Sequence, residues 1–465
     1  MINILNTIKK QYTTDGGYKE FLKISIPLFI STSIGSIQLF IDRIFLSMYS
    51  KEAFTAATLA GILYWSVECI FFGTVAYIDV FVARYYGAKK YHLIGPAIWQ
   101  GVYLTFLSAF LIFFISFFSN QFFTNIGHID IIAKEESKFF RILCYGAFPN
   151  IVNAALSSFY SGRCKTRTVL LINFLSVVLN IILDFCLIFG NYFFNEMGII
   201  GAALSTNISS IIVMIIYIFL IASKKYKYTY NTMCFNFNFP FFKKLIHYGL
   251  PNGIEFFFDF IGFGIFMMII GKLGEAEFTA STIIATVNYI FSMPIVGIGM
   301  ATSIMVSNYL GKNQSILAKT SVKSAIHIVL IYLIFIIFIL LSFMNKLIHI
   351  FSSIIHDNFI NSINVTIRNL LIISSIYLIF NACSIVFAAA IKGAGDTIFV
   401  LKKLIFYSIL LEIIPAYISI IIFHQGVYLA WIFLLFSIIA LFFSFYFRYK
   451  SNKWIETRVI RMNVN

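Results

Sequence analysis

Three carboxylates, Asp42, Glu68 and Asp184, stand inside long apolar runs of the sequence. A charged group in hydrocarbon costs at least a few kcal/mol, so its default reading is functional. Such a group can hold a proton, or a sodium ion with the help of amide and hydroxyl oxygens. Gln38 stands four residues before Asp42 and Asn180 four before Asp184, each on the helix face of its acid. Counted at about 1.5 Å per residue from Lys23, Arg84 and Arg167, the three acids lie about 24–29 Å up, at one level in the outer half of a bilayer. Glu255 and Asp259 form another i, i+4 pair, about 16 and 22 Å above Lys244, and are expected to face a central cavity where a cationic substrate binds. The alternative for all five is a carboxylate locked to a hydroxyl, amide or Arg for packing alone. Arg43, beside Asp42, either pairs locally or snorkels outward. Asp79, close to Arg84, and Glu412, near the bend expected at Pro415, read as interfacial or hinge residues.

The elements that hold these groups follow from composition. The 465 residues are 60% hydrophobic and only 11% charged, with a mean hydropathy of +0.90. A water-soluble core has no room for so much apolar surface, so the solvent is lipid. Helices crossing a core of roughly 30 Å need about 20 apolar residues each. Breaks at charged, Gly, Pro and Asn positions predict spans at 21–49, 56–83, 94–118, 138–160, 168–190, 198–222, 244–271, 279–307, 316–343, 366–392, 398–423 and 426–447. The fold class expected is therefore an all-α membrane protein of twelve transmembrane helices. Most of the 34 Lys and Arg residues fall at the termini and in the even-numbered loops, which predicts both termini on the cytoplasmic side of the cell (inner) membrane. The first 20 residues show no apolar stretch with a cleavage site, so no signal peptide is expected.

The chain also repeats itself. Pro27, Phe54-Thr55-Ala56-Ala57-Thr58 and Tyr85-Tyr86-Gly87 recur at one constant offset as Pro251, Phe278-Thr279-Ala280-Ser281-Thr282 and Tyr309-Leu310-Gly311. Gly162 and Thr166 recur as Gly393 and Thr397 at a slightly larger offset, the mark of a short insertion. Six spans per half is an even number, so both halves enter from the same side. That predicts a parallel repeat of two six-helix lobes about an axis along the membrane normal, with the substrate path between them. The expected divisions are an N-lobe at 1–222, a cytoplasmic linker at 223–243, a C-lobe at 244–447 and a basic cytoplasmic tail at 448–465. The stretch 347–364 reads as an amphipathic outer loop.

Several function classes are excluded. The net charge of +15 is spread among loops and forms no single patch, which argues against nucleic acid. Gly271-Lys272 is followed by Leu273, so no phosphate-binding loop exists and ATP is not the direct energy source. The seven histidines lack metal-ligand spacing, and the six scattered cysteines read as packing residues. Neither an enzymatic activity nor a cofactor is expected, the coupling ion apart.

Along the chain stand, in order, Ile41-Asp42-Arg43-Ile44-Phe45, Val82-Ala83-Arg84-Tyr85-Tyr86-Gly87-Ala88, Ser161-Gly162-Arg163-Cys164-Lys165-Thr166-Arg167, Leu179-Asn180-Ile181-Ile182-Leu183-Asp184, Gly249-Leu250-Pro251, Gly274-Glu275-Ala276 and Lys392-Gly393-Ala394-Gly395-Asp396-Thr397. This ordered set resembles the multidrug and toxic compound extrusion (MATE) family. The resemblance covers essentially the whole chain. It implies export of organic cations or other amphipathic compounds by antiport with protons or sodium, by a monomer whose two lobes alternate access. By position, Asp42, Asn180, Asp184 and Thr206 match the family's ion-linked cluster, with sodium possible at the first three, and Asp259 matches a second-lobe acid. Asn381 stands where some members carry an acid, which weighs against a second-lobe sodium site. The rivals are a flippase for a lipid-linked precursor, which would want a basic cavity, and a membrane-embedded transferase, which would want Asp motifs on a large loop.

Overall fold

The computed structural model describes residues 11–125, 130–192, 194–344, 346 and 357–455, and among them it is helical with no strand. The helices are α1 Tyr18–Tyr49, α2 Lys51–Ala76, α3 Ile78–Gly87, α4 Ile94–Ser116, α5 Ser119–Asn125, α6 Asp130–Tyr145, α7 Ala147–Ser161, α8 Thr166–Phe189, α9 Ile199–Ile221 and α10 Lys224–Tyr230. They continue as α11 Phe239–Ile270, α12 Glu275–Gly311, α13 Ser315–Ser342, α14 Asp357–Ala394, α15 Thr397–Ile422 and α16 Val427–Lys450. Eleven spans among the described residues are long and apolar enough to cross a membrane, with α2 and α3 counted as one; α6 and α7, bent by 41° where they meet, make up to twelve. The expected spans fall on these helices in order. Of the expected outer loop, 347–356 lies outside the described residues and the rest belongs to the start of α14.

The bend in the fourth span has a local cause. Pro149 has no N–H to give Tyr145, and its ring crowds that carbonyl, so the helix cannot run straight through. Asn207 of α9 fills the notch: its Nδ2 donates to the Ile142 carbonyl, and a Cβ at Gly146 would lie 1.8 Å from its Oδ1. The eleventh span is deformed instead of broken. It carries π turns at Ser408–Ile413 and Ile418–Ile422 on either side of Pro415.

The chain gathers into two compact units. One, the Asp42 unit, comprises Ile30–Phe257 and Ser307–Gln314. The other, the Asp259 unit, comprises Met1–Phe29, Phe258–Val306 and Ser315–Asn465. Three of the divisions fall within α1, α11 and α12 and the fourth between α12 and α13, and Pro27 lies two residues from the first of them.

The sequence repeat is visible in the backbone. Lys89 and Asn313 are equivalent positions and both take left-handed conformations, φ 58° and 59°. Cys164 and Gly395 are also equivalent, at φ 60° and 112°, and each is followed two residues later by a buried threonine that opens the next helix, Thr166 or Thr397. Within the Asp42 unit, a Cβ at Gly87 would lie 2.0 Å from the carbonyl oxygen of Asn308, and one at Gly311 would lie 2.3 Å from that of Arg84. Gly311 and Asn308 are the repeat equivalents of Gly87 and Arg84, so the two contacts are reciprocal.

The segment after α9 is fastened along its length. Trp99 Nε1 donates to the Thr232 carbonyl at 2.6 Å, and Tyr103 donates to the carbonyl of Phe235. Gln100 bridges the Asn236 carbonyl and the Asn238 amide, both at 3.1 Å. The buried Arg163 guanidinium lies 3.5 Å from the ring centre of Phe159, 4.7 Å from that of Tyr226 and 4.5 Å from that of Tyr230, the last two on α10. A desolvated cation–π contact of this kind is worth about 2 kcal/mol. Arg163→Ala is therefore expected to raise the rate of proteolytic cutting within 223–238 by roughly tenfold or more, read by limited digestion and mass spectrometry. Unchanged cutting would show that the aromatic cage does not hold α10.

Candidate ion-binding site

α1, α8 and α9 meet in the Asp42 unit and bring the expected cluster together. The carboxyls of Asp42 on α1 and Asp184 on α8 lie within hydrogen-bonding reach of each other. Asp184 and Asn180 are fully buried, one turn apart on α8. Ser205 of α9, also fully buried, donates its hydroxyl to Asp184 Oδ1 and lies 3.5 Å from Asn180 Nδ2. Three buried oxygens remain, Asp42 Oδ1, Asn180 Oδ1 and Asp184 Oδ2, and none receives a hydrogen bond from a neighbouring N–H or hydroxyl. Oxygens of this kind suit a proton shared between the carboxyls, or a hard cation.

The neighbours of the pair are placed with less symmetry than the spacing suggested. Arg43 turns to α2, where Nη1 donates to Thr58 Oγ1 at 3.1 Å, while still feeling the charge of Asp42. Thr206 returns its hydroxyl to the Ala202 carbonyl at 3.1 Å, and the residue that reaches the acid is Ser205 next to it. Gln38 is half-buried on α1, one turn before Asp42. Glu68 shares the height of the pair but not its company. It accepts from Tyr64 Oη at 2.9 Å, and Tyr64 in turn accepts from Asn150 Nδ2 of α7 at 3.3 Å. Asp79 is held by the hydroxyl of Ser161 at the end of α7.

A second constellation lies in the Asp259 unit. Asp259, Tyr377, Asn381, Ser408, Glu412 and Ser437 share a cavity of about 130 Å³ with apolar residues that include Phe263 and Leu434. Asp259 and Glu412 are close enough to repel, and Ser408 Oγ donates to Glu412 Oε2 at 3.3 Å. The volume admits a cation and a few waters, and falls below the roughly 300–1,000 Å³ of sites for drug-sized ligands. Glu255 does not line this cavity: the unit division at Phe257 and Phe258 separates it from Asp259.

The MatE family model matches residues 27–186 and 251–418, both halves of the chain. The chain belongs to the MATE family. The probable multidrug resistance protein NorM of Listeria monocytogenes serotype 4b is 25% identical over 296 residues, 62% of this chain and 64% of the relative, so the chain spans somewhat less than two thirds of that protein. A protein of the same description from Thermotoga maritima is 25% identical over 454 residues, 95% of this chain and 94% of the relative. Solved MATE-fold structures agree: a MOP superfamily transporter from Pyrococcus furiosus has a TM-score of 0.86 at 19% identity, covering 96% of this chain and 98% of its own. The eukaryotic MATE transporter AtDTX14 has a TM-score of 0.83 at 15% identity, covering 95% and 98%.

Sequence spacing singled out neither Ser205 nor Tyr377, Ser408 and Ser437 of these candidate sites and read Glu412 as a hinge residue, although for part of the second constellation a signal was present. Ser408 and Glu412, like Tyr377 and Asn381, are i, i+4 pairs of the kind that singled out Gln38 and Asp42. Ser205 had no such mark, because its partner is on another helix. Removing the hydroxyl leaves Asp184 Oδ1 without its donor, at about 1–3 kcal/mol. Ser205→Ala is expected to lower the melting temperature of the purified MATE chain by several degrees, read by intrinsic fluorescence, with Ser205→Thr restoring most of the loss. Equal melting of all three proteins would mean the hydroxyl does not support Asp184.

Proposed function

We propose that this protein is a secondary antiporter that exports organic cations or other amphipathic compounds in exchange for protons or sodium. The observation that carries the reading is the contact between Asp42 and Asp184 amid three buried oxygens that no donor satisfies. Two negative charges about 4 Å apart repel by about 4 kcal/mol at an effective dielectric of 20. A proton or a sodium ion placed between them removes that repulsion. Asp42, Asn180 and Asp184 with Ser205 hold the ion, while Thr206 and Gln38 lie one step outside. An ion can drive export only through different affinities in the inward-open and outward-open states. The gradient then supplies the difference, about 2.3 kcal/mol per charge for each 100 mV of membrane potential. On this reading the chain works as a monomer in the cell membrane with both termini cytoplasmic, and it needs no cofactor.

A second ion position is favoured by one observation. The loss of an acid at Asn381 is offset by Glu412, which faces Asp259 across the same small cavity. Coupling through the second half therefore remains open to this chain by a different helix. The intramembrane charges in both places are acidic, which supports a cationic cargo and counts against an anionic lipid-linked one.

The test is dye efflux from liposomes containing the purified protein, under imposed proton and sodium gradients in turn. Asp42→Asn and Asp184→Asn are expected to abolish gradient-driven efflux while eluting and melting as folded protein. Wild-type efflux by both variants would refute the assignment, and the gradient that drives the wild type identifies the ion.

A further inference from the structure

Glu68 is a buried carboxyl that the Asp42–Asp184 reading leaves without work. It sits near the middle of the long α2–α3 span, about 25 Å from Lys51 and about 24 Å from Arg84 along the helix. It is 5% exposed, and among the described residues its one hydrogen-bond partner is the Tyr64 hydroxyl. That hydroxyl is itself clasped by Asn150, four residues past the bend at Gly146 in the fourth span. The titratable groups that face Glu68 are Tyr64 and Cys69 on its own helix and Cys144 of α6, none of them a cation. α4, α7 and α9 also pack against α2, as does α11, where Asn252 donates to the Gly73 carbonyl; α11 brings the buried carboxyl Glu255, and no cation on these elements acts on Glu68.

A bare carboxylate with one neutral donor in such a place loses its solvation and gains no counter-ion, at a cost of several kcal/mol. The neutral acid suffers no such loss. It keeps the Tyr64 bond by accepting at Oε1 with the proton on its other oxygen. To ionise, Glu68 must gain water or new donors, and parting of α2 from the bent α6–α7 span, which carries Cys144 and Asn150, would admit them. Proton occupancy and the packing of that seam are thus tied together.

We propose that Glu68 is a second, separate proton-exchanging carboxyl of the Asp42 unit, holding its proton while α2 is closed on the bent span and releasing it when that seam opens. The proposal rests on ion-driven export as its physiological setting, but its test does not. In infrared spectra of the full-length protein in liposomes, the C=O stretch of a protonated carboxyl is expected at mildly acidic pH, lost reversibly at mildly alkaline pH, and missing from Glu68→Gln throughout. Asp42→Asn should retain the band, so failure of the Asp42–Asp184 reading leaves this result standing. Tyr64→Phe should move the band to higher wavenumber, because the C=O loses its hydrogen bond, and this identifies the band even if Glu68→Gln does not fold. Identical wild-type and Glu68→Gln spectra at every pH would overturn the proposal. So would a Glu68 band that persists unchanged at alkaline pH, since that marks a fixed structural proton.

Discussion

Two acid groups pressed together in hydrocarbon cannot both be charged unless something positive lies between them. On the ion-coupled reading proposed above, the Asp42–Asp184 contact makes the packing of α1 against α8 conditional on occupancy. The neighbours relieve it only in part: Arg43 favours the Asp42 charge but gives its hydrogen bond to Thr58 on α2, and Ser205 serves only one oxygen of Asp184. Without a cation, the least costly response is for the helices to separate or for water to enter. α1 is suited to transmit such a change, because Pro27 removes one rung of its hydrogen-bond ladder two residues before the chain passes between the compact units. Asp42 of the candidate site and the missing rung at Pro27 thus lie on one element.

Hydrophobic length made the spans legible, since the bilayer demands it of every crossing helix in the same way. The deviations were less legible because their causes lie far away in sequence. Pro149 marks a weak point in the fourth span, but the direction of the bend depends on Asn207 entering the notch at Gly146. The polar, Lys- and Tyr-rich segment after α9 reads in the sequence as a cytoplasmic linker between the lobes. Only the positions of Trp99, Gln100, Tyr103 and Arg163 turn it into a strap.

The candidate sites show the same limit in another form. Counting rise along a helix gives the height of a side chain and nothing about the direction in which it points. Asp42, Asp184 and Glu68 were placed at one level, yet Asp42 and Asp184 meet while Glu68 faces Tyr64 on its own helix and, through it, Asn150. The i, i+4 rule adds a direction, but only relative to the same helix. It linked Glu255 to Asp259, whereas Asp259 shares its cavity with Glu412, Tyr377 and Asn381 from α14 and α15.

The duplication shows how one scaffold came to hold unlike sites. Backbone features that any membrane helix pair must solve are kept in both halves: the left-handed turns at Lys89 and Asn313, those at Cys164 and Gly395, and the threonines that follow the latter. The acids are not kept. At the same offsets, Asp42 corresponds to Phe266, Asp184 to Pro415, Asp259 to Gly35 and Glu412 to Ile181. Phe266 is fully buried against Trp431, so the place that holds an ion-competent carboxyl in one half holds a packed ring in the other. A bilayer penalises every buried charge in proportion to its number, and two copies of each site would double that cost without doubling the chemistry. Asp42, Asp184, Asp259 and Glu412 therefore each stand where the other half has Phe, Pro, Gly or Ile, and the repeat supplies matched turns to two constellations of different composition.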